Sequence, residues 1–304
     1  MLKYNYLTGT PVYIAEERLN RPNSTGIPQR KAESSKDSGE NCPFCPHNAH
    51  MTPPVIYDNG VVKIVPNLYP FISQKEGLGF HDVVIDTPNH NETISDYTRE
   101  HMENLLSVLK MRQIQLEEKP GIEYVQVFKN NGRNAGASQS HSHWQIGAQN
   151  IISPKISYMY ERLKEYKDLK GKSYFDSEDA FISVWENTLF KIAIPTDSLF
   201  SFETHIITKE DIPSLTEFSE SQLSLLAEVL LKQLSIYKKY DSTLDFNICF
   251  YSTPKKYKQS SAMRFSSQFI PRKGNIAGFE FSTGCYINSV TPEALENLIK
   301  KEFL

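Results

Sequence analysis

The feature that most narrows the fold of this 304-residue chain is an order of elements that occurs twice. In the first pass, the β-branched runs Val61–Val65 and Asp82–Ile85 read as strands bounded by turn residues. Ile94–Leu116 carries apolar residues at helical spacing, and Tyr124–Phe128 and Trp144–Ile146 resume as strands. In the second pass, Phe181–Trp185, Leu189–Ile194 and His205–Thr208 read as strands, Glu220–Tyr240 as a helix, and Phe246–Tyr251 and Ser267–Ile270 as strands. DVVIDTPNH (82–90) and ETHIITKED (203–211) fall in matching places, as do Val125–Phe128 and Asn247–Phe250. A period of this length predicts two copies of one α+β unit, not a solenoid. The expected division is 1–175 and 176–304, with Pro292–Leu304 as a terminal helix. Residues 20–40 are polar and rich in turn formers, and read as a loop.

Composition limits the partners. Hydrophobic residues at 39% and charged residues at 23% are those of a globular protein. A net charge of −3 leaves no basic footprint, so nucleic acid is not an expected partner and an anionic substrate needs a local positive site. No run approaches the roughly 18–20 apolar residues of a membrane helix, and the opening MLKYNYLTGTPVY lacks a basic-then-apolar leader. A cytoplasmic chain with no membrane partner is therefore expected. The 4 cysteines are no disulfide framework. Cys42-Pro-Phe-Cys45 reads as metal-binding or redox-active, and the isolated Cys249 and Cys285 read as small buried apolar residues.

Chemistry concentrates in FKNNGRNAGASQSHSHWQI (128–146). Its glycines and small residues let backbone amides form an anion nest, with Gly136–Ser138 as the expected donors. In an extended strand residues i and i+2 share a face, so His141 and His143 would project together. One could be a ligand while the other attacks phosphorus; the competing reading is a polar hairpin with two surface histidines. A zinc site on Cys42 and Cys45 needs two more ligands, for which His47, His50, His81, His90, His101, His141 and His205 are all candidates. Aligning the two copies at Gln145 and Gln268 sets His143 against Ser266 and His141 against Arg264, so the chemistry belongs to the first copy.

Taken in order, several blocks resemble the galactose-1-phosphate uridylyltransferase family of the histidine-triad superfamily, particularly its sugar-nucleotide phosphorylase-like branch. They are Tyr6-Leu7-Thr8-Gly9 through Arg18 and Arg21-Pro22, CPFCPHNAHMTPP (42–54), VPNLYPFIS (65–73), GFHDVVIDTPNH (79–90), the histidine segment and GFEFSTGCYIN (278–288). The resemblance implies a tandem of two histidine-triad-like units, each an antiparallel sheet with helices packed on it. It implies zinc on Cys42, Cys45, His90 and His141, with His81 at a non-ligand position. It implies that His143 is the nucleophile and that Gln145 bonds the transferred phosphoryl group. Asn67, Asn130, Gly136 and Ser138 match positions around the nucleotide, while Arg18, Arg21 and Lys273 are looser matches to phosphate or dimer contacts.

The implied activity moves a nucleoside monophosphate between a nucleotide sugar and a sugar 1-phosphate through a nucleotidyl-histidine; a homodimer is compatible with it. A phosphorylase using inorganic phosphate, a hydrolase, and a zinc-stabilised nucleotide binder without turnover remain as alternatives. There are departures. Trp144 stands where a small residue is usual, and either narrows the site or packs away from it. Met263–Gln268 lacks the histidines of a second metal site. Arg264 replaces a histidine, and a guanidinium there suits a compact phosphate.

Overall fold

A computed structural model describes residues 2–4, 11–13, 39–274 and 276–302. The Tyr6–Gly9 block and Arg18 and Arg21 lie outside the described residues, as does most of the expected 20–40 loop. Strands β1 (Leu2–Tyr4) and β2 (Pro11–Tyr13) form a small antiparallel pair.

The remaining strands build one 10-stranded antiparallel sheet. The first pass supplies β3 (Tyr57–Asp58), β4 (Lys63–Pro66), β5 (Gly79–Ile85), helix α1 (Arg99–Glu117), β6 (Tyr124–Asn131) and β7 (His143–Gln149). After α2 (Pro154–Lys170), the second supplies β8 (Phe181–Glu186), β9 (Phe190–Pro195), β10 (Thr204–Thr208), α3 (Glu220–Tyr240), β11 (Phe246–Tyr251) and β12 (Ser266–Pro271). Across the sheet the order is β3-β4-β5-β7-β6-β11-β12-β10-β9-β8. Each half thus repeats strand, strand, strand, helix, strand, strand, and the two meet where β6 pairs antiparallel with β11. The tandem α+β architecture read from the sequence is this arrangement. Short α4 (Gly278–Thr283) and α5 (Pro292–Glu302) follow.

Three details differ from the sequence reading. Ile94–Asp96 form a separate short turn, and α1 starts only after Thr98, whose side chain caps it by accepting from the His101 N–H. Helix α2 was not expected, although Ser153 caps it, Pro154 opens it and Gly171 closes it. The pairing of the copies also slips by one: Gln145 lies opposite Phe128, and Gln268 lies opposite Cys249, so Phe128 matches Cys249 and not Phe250. Side chains alternate along a strand, so that slip moves every side chain to the other face.

Helices α1 and α3 pack together over one face and enclose the main core. Helix α2 covers the opposite face of the second half, with Ile156, Tyr160 and Leu163 against Phe181, Tyr251 and Met263. Trp144 is fully buried in the main core, 5.0 Å from the Phe250 ring. It packs away from its strand neighbours His143 and Gln145, whose side chains face the other way. Cys249 is half-buried, but Cys285 is exposed, against expectation. Among the described residues no helix is long and apolar enough to cross a membrane.

Truncating an aromatic core residue of this size costs about 3–5 kcal/mol through lost transfer energy and the cavity left behind. Trp144→Ala should therefore lower the urea midpoint by that equivalent with an unchanged slope, as measured by equilibrium unfolding.

Candidate active site

Four donors converge ahead of β7. The CPFC segment folds as a tight turn in which the Cys45 N–H donates to the Cys42 carbonyl (3.2 Å). The Asn48 amide ties this turn by donating to the Glu40 and Cys42 carbonyls at 2.7 and 3.0 Å. His90 comes from the turn after β5, and His141 from the turn just before β7. His141 Nδ1 lies 3.6 Å from both thiol sulfurs, and His90 Nδ1 lies 3.4 Å from Cys45 Sγ. All four ligand atoms fall within 4.8 Å of one another. Donors on a tetrahedral zinc with bonds of about 2.0–2.3 Å stand about 3.5 Å apart, so the set fits such an ion. His141 Nε2–H donates to the Thr87 carbonyl (2.8 Å), which leaves Nδ1 as the atom aimed at the cluster. Gly39 closes the wall at φ +71°, where a Cβ would meet the His90 ring at 2.8 Å. Of the other candidates, His47 and His50 are exposed on the turn after Cys45, while His101 Nε2 bonds the Asp86 carbonyl (2.6 Å).

His143 opens β7, so the two histidines are not strand neighbours on one face as expected; His141 belongs to the preceding turn. The Phe44 ring packs on both, with centroids 6.2 and 5.2 Å away. His143 Nδ1–H donates to the His141 carbonyl (2.8 Å). That bond sets the tautomer and leaves the lone pair on Nε2. Burial pulls the imidazole pKa down to about 4, helped by the nearby Lys129 ammonium. The ring is therefore neutral near pH 7.

Beneath this segment lies an ion pair the sequence reading missed. Lys129 and Asp86 are 1% and 0% exposed, and their side chains meet at 3.0 Å. The remaining ammonium protons go to Ser142 Oγ (2.8 Å) and the His143 carbonyl (3.1 Å). Lys129 thus clamps the backbone of the histidine segment from the helix side of the sheet.

Gln145 is 6% exposed on the same face as His143. Its Oε1 accepts from His81 Nε2 at 3.0 Å. Asn67 sits nearby, its own Oδ1 accepting from the Tyr69 N–H (2.8 Å). Two of the three amides expected to face phosphate are used by their own turn: Gly136 N–H donates to the Arg133 carbonyl (3.0 Å) and Ala137 N–H to the Gly132 carbonyl (3.1 Å). Ser138 has no hydrogen-bond partner among the described residues. The second half holds this loop in place. Asp245 accepts from the Asn134 N–H (2.8 Å), and Asn247 Nδ2 bridges Asn130 Oδ1 (2.8 Å) and the Ala135 carbonyl (2.9 Å). Asp245 comes so close that a Cβ at Gly132 would overlap it at 1.6 Å.

The matching place in the second half is occupied. Gln268 Nε2 donates to Glu203 (2.7 Å) and its Oε1 accepts from the Tyr251 hydroxyl (2.8 Å), while His205 bonds the same Glu203 (2.7 Å). The expectation that Arg264 offers a cation to phosphate is not met. Its guanidinium is held by Asp176 through two bonds of 2.7 and 2.8 Å and by Asp211 at 2.6 Å, so its charge is already balanced. Lys273 pairs with Asp241 (2.5 Å).

Residues 23–151 match the model of a domain of unknown function, the N-terminal domain of DUF4931. An ADP-glucose phosphorylase of Arabidopsis thaliana is 27% identical, covering 99% of this chain and 92% of its own length. A galactose-1-phosphate uridylyltransferase of Thermotoga maritima is 25% identical, over 96% and 95%. The crystal structure of an Arabidopsis ADP-glucose phosphorylase with bound ADP-glucose superposes with a TM-score of 0.83 at 27% identity, covering 100% of this chain and 99% of that one. The resemblance read from the motifs is thus shared along nearly the whole length.

Removing one partner of a buried ion pair strands the other charge and costs about 3–5 kcal/mol, whereas replacing both by apolar groups is often near neutral. Lys129→Met should destabilise the fold by that amount in urea unfolding. The Asp86→Leu/Lys129→Met pair should recover most of the loss.

Proposed function

We propose that the chain, similar over nearly its whole length to an ADP-glucose phosphorylase and a galactose-1-phosphate uridylyltransferase, transfers a nucleoside monophosphate from a nucleotide sugar through a covalent nucleotidyl-His143 intermediate. The supporting observation is the fixed tautomer of His143, with Nδ1–H on the His141 carbonyl (2.8 Å) and a neutral ring. Nε2 attacks the α-phosphorus, an N–P bond forms, and the P–O bond to the sugar 1-phosphate breaks with its electron pair on the leaving oxygen. The leaving group is already a stable phosphate monoester anion, so the step needs no general acid. An oxygen of the acceptor then attacks the nucleotidyl phosphorus and returns the electron pair to Nε2.

Around that centre, the Gln145 amide and the Ser138 N–H are the donors for the equatorial phosphoryl oxygens. Asn67 and Asn130 are the nucleotide contacts, and Gly136 supplies the left-handed turn at φ +86°. Cys42, Cys45, His90 and His141 are the zinc ligands. Bound there, the ion supplies rigidity to the His141 turn, and so to the carbonyl that fixes His143. In this reading residues 1–175 are the catalytic unit, 176–304 a unit without catalytic histidines, and the reduced cysteine pair suits the cytoplasm.

The preferred acceptor is a sugar 1-phosphate. Inorganic phosphate is the second reading, favoured by the likeness to an ADP-glucose phosphorylase over nearly the whole chain. Both acceptors use one intermediate. Incubation with nucleotide sugars labelled in the α-phosphate should leave acid-labile label on the wild type, and quenching with each acceptor should identify the partner by its product. His143→Ala should abolish label and turnover while keeping the metal; label retained by that variant would place the nucleophile elsewhere. Elemental analysis should find about one zinc per chain, and Cys42→Ser should lower both zinc content and stability. A metal-free, fully folded wild type would exclude the zinc site.

A further inference from the structure

Resting on the reading just given, we infer that His81 is a positioning residue that fixes which end of the Gln145 amide faces the reacting phosphorus. The Phe71 N–H points at His81 Nδ1 over 3.3 Å, and a peptide N–H can only donate. Nδ1 is therefore the acceptor nitrogen, and a neutral imidazole must then carry its proton on Nε2.

That Nε2 lies 3.0 Å from Gln145 Oε1. Asn67 Nδ2 lies 3.3 Å from the same Nε2, but in this tautomer both atoms are donors, so the bond that forms is the one to Gln145. With Oε1 committed to His81, the Gln145 NH₂ is turned away from it. Gln145 Nε2 has no hydrogen-bond partner among the described residues. It is left as a donor on the face that carries the lone pair of His143.

The surroundings hold His81 rigidly. It is 4% exposed within β5, its backbone carbonyl accepts from the Asn67 N–H (2.8 Å), and the Phe71 ring lies 3.9 Å from its own. An amide whose two ends differ in hydrogen-bond sense flips readily when both ends meet water. Here a donor-only partner leaves one orientation. A flipped Gln145 would aim a carbonyl oxygen at an anionic phosphoryl group, which repels where the amide should attract.

The test is a double-mutant cycle on turnover, with a direct reading of the tautomer. Gln145→Ala should slow nucleotidylation of the protein about 10²–10³-fold, as loss of one preorganised donor does. His81→Phe should slow it about 10-fold or more, with KM nearly unchanged. In the Gln145→Ala background, His81→Phe should change the rate by less than about 2-fold, since the two act as one unit. A merely structural role would multiply through both backgrounds. Effects that multiply, or a His81→Phe enzyme as fast as wild type, would overturn the inference.

Long-range ¹H–¹⁵N correlation spectra of the wild type, labelled at histidine nitrogens, should show His81 protonated at Nε2 alone. A proton on Nδ1 would overturn the inference even if the His81 variant did not fold. If no covalent label formed on the wild type, the covalent reading would fail, while the tautomer measurement would still decide whether His81 orients Gln145.

Discussion

The site depends on a charge buried where no water reaches it. Lys129 and Asp86 sit under the sheet, and taking two charges out of water costs several kcal/mol for each ion before they attract each other. The pair persists because every proton of the ammonium has a fixed acceptor: a carboxylate, the Ser142 hydroxyl and the His143 carbonyl. Asp86 follows the end of β5, Lys129 lies on β6, and Ser142 and His143 lead into β7. The one interaction therefore locks three neighbouring strands at the point where the histidine segment begins. From above, the His141 carbonyl holds the proton of His143, and His141 is itself tied to Thr87. The nucleophile candidate is fixed through its backbone from below and through its ring from above.

The two halves divide this work unequally. The first half supplies the residues that face the proposed substrate. The second supplies Asp245 and Asn247, which grip the glycine-rich loop across the β6–β11 seam. That seam is an ordinary antiparallel pairing, and these bonds tie the loop to it. A second copy without counterparts of His141 and His143 thus still supports the loop of the proposed site.

The tandem fold was legible because strand and helix periods are local: α3 and β11 fall at Glu220–Tyr240 and Phe246–Tyr251, as the pattern of apolar residues indicates. The four-donor cluster was legible only through motif resemblance, since spacing left seven histidines as candidates for two places. What stayed hidden was contact between distant positions. Lys129 carries no signal of its own in the sequence, because its partner Asp86 lies 43 residues earlier. His81, one of the seven candidates by spacing and a non-ligand position by resemblance, had no role until found against Gln145, 64 residues away. Arg264 misled for the same reason, because its balancing carboxylates, Asp176 and Asp211, lie 88 and 53 residues earlier.

The two glutamines show how little separates the proposed site from its counterpart in the second copy. Gln145 and Gln268 hold equivalent places on β7 and β12, both nearly buried, each with its oxygen accepting one hydrogen bond. They differ at the nitrogen. Gln268 gives its proton to Glu203, whose carboxylate is held below the usual range because the bonds from His205 and Gln268 outweigh its burial. An anion is already bound there, covalently attached to the chain, and α2 covers that face. In the first half His81 stands at the place of Glu203, so Gln145 turns its oxygen that way and its nitrogen away from it. The exchange of His81 for Glu203 thus reverses the amide, and in the proposed site it is this reversal that leaves the Gln145 nitrogen for the substrate.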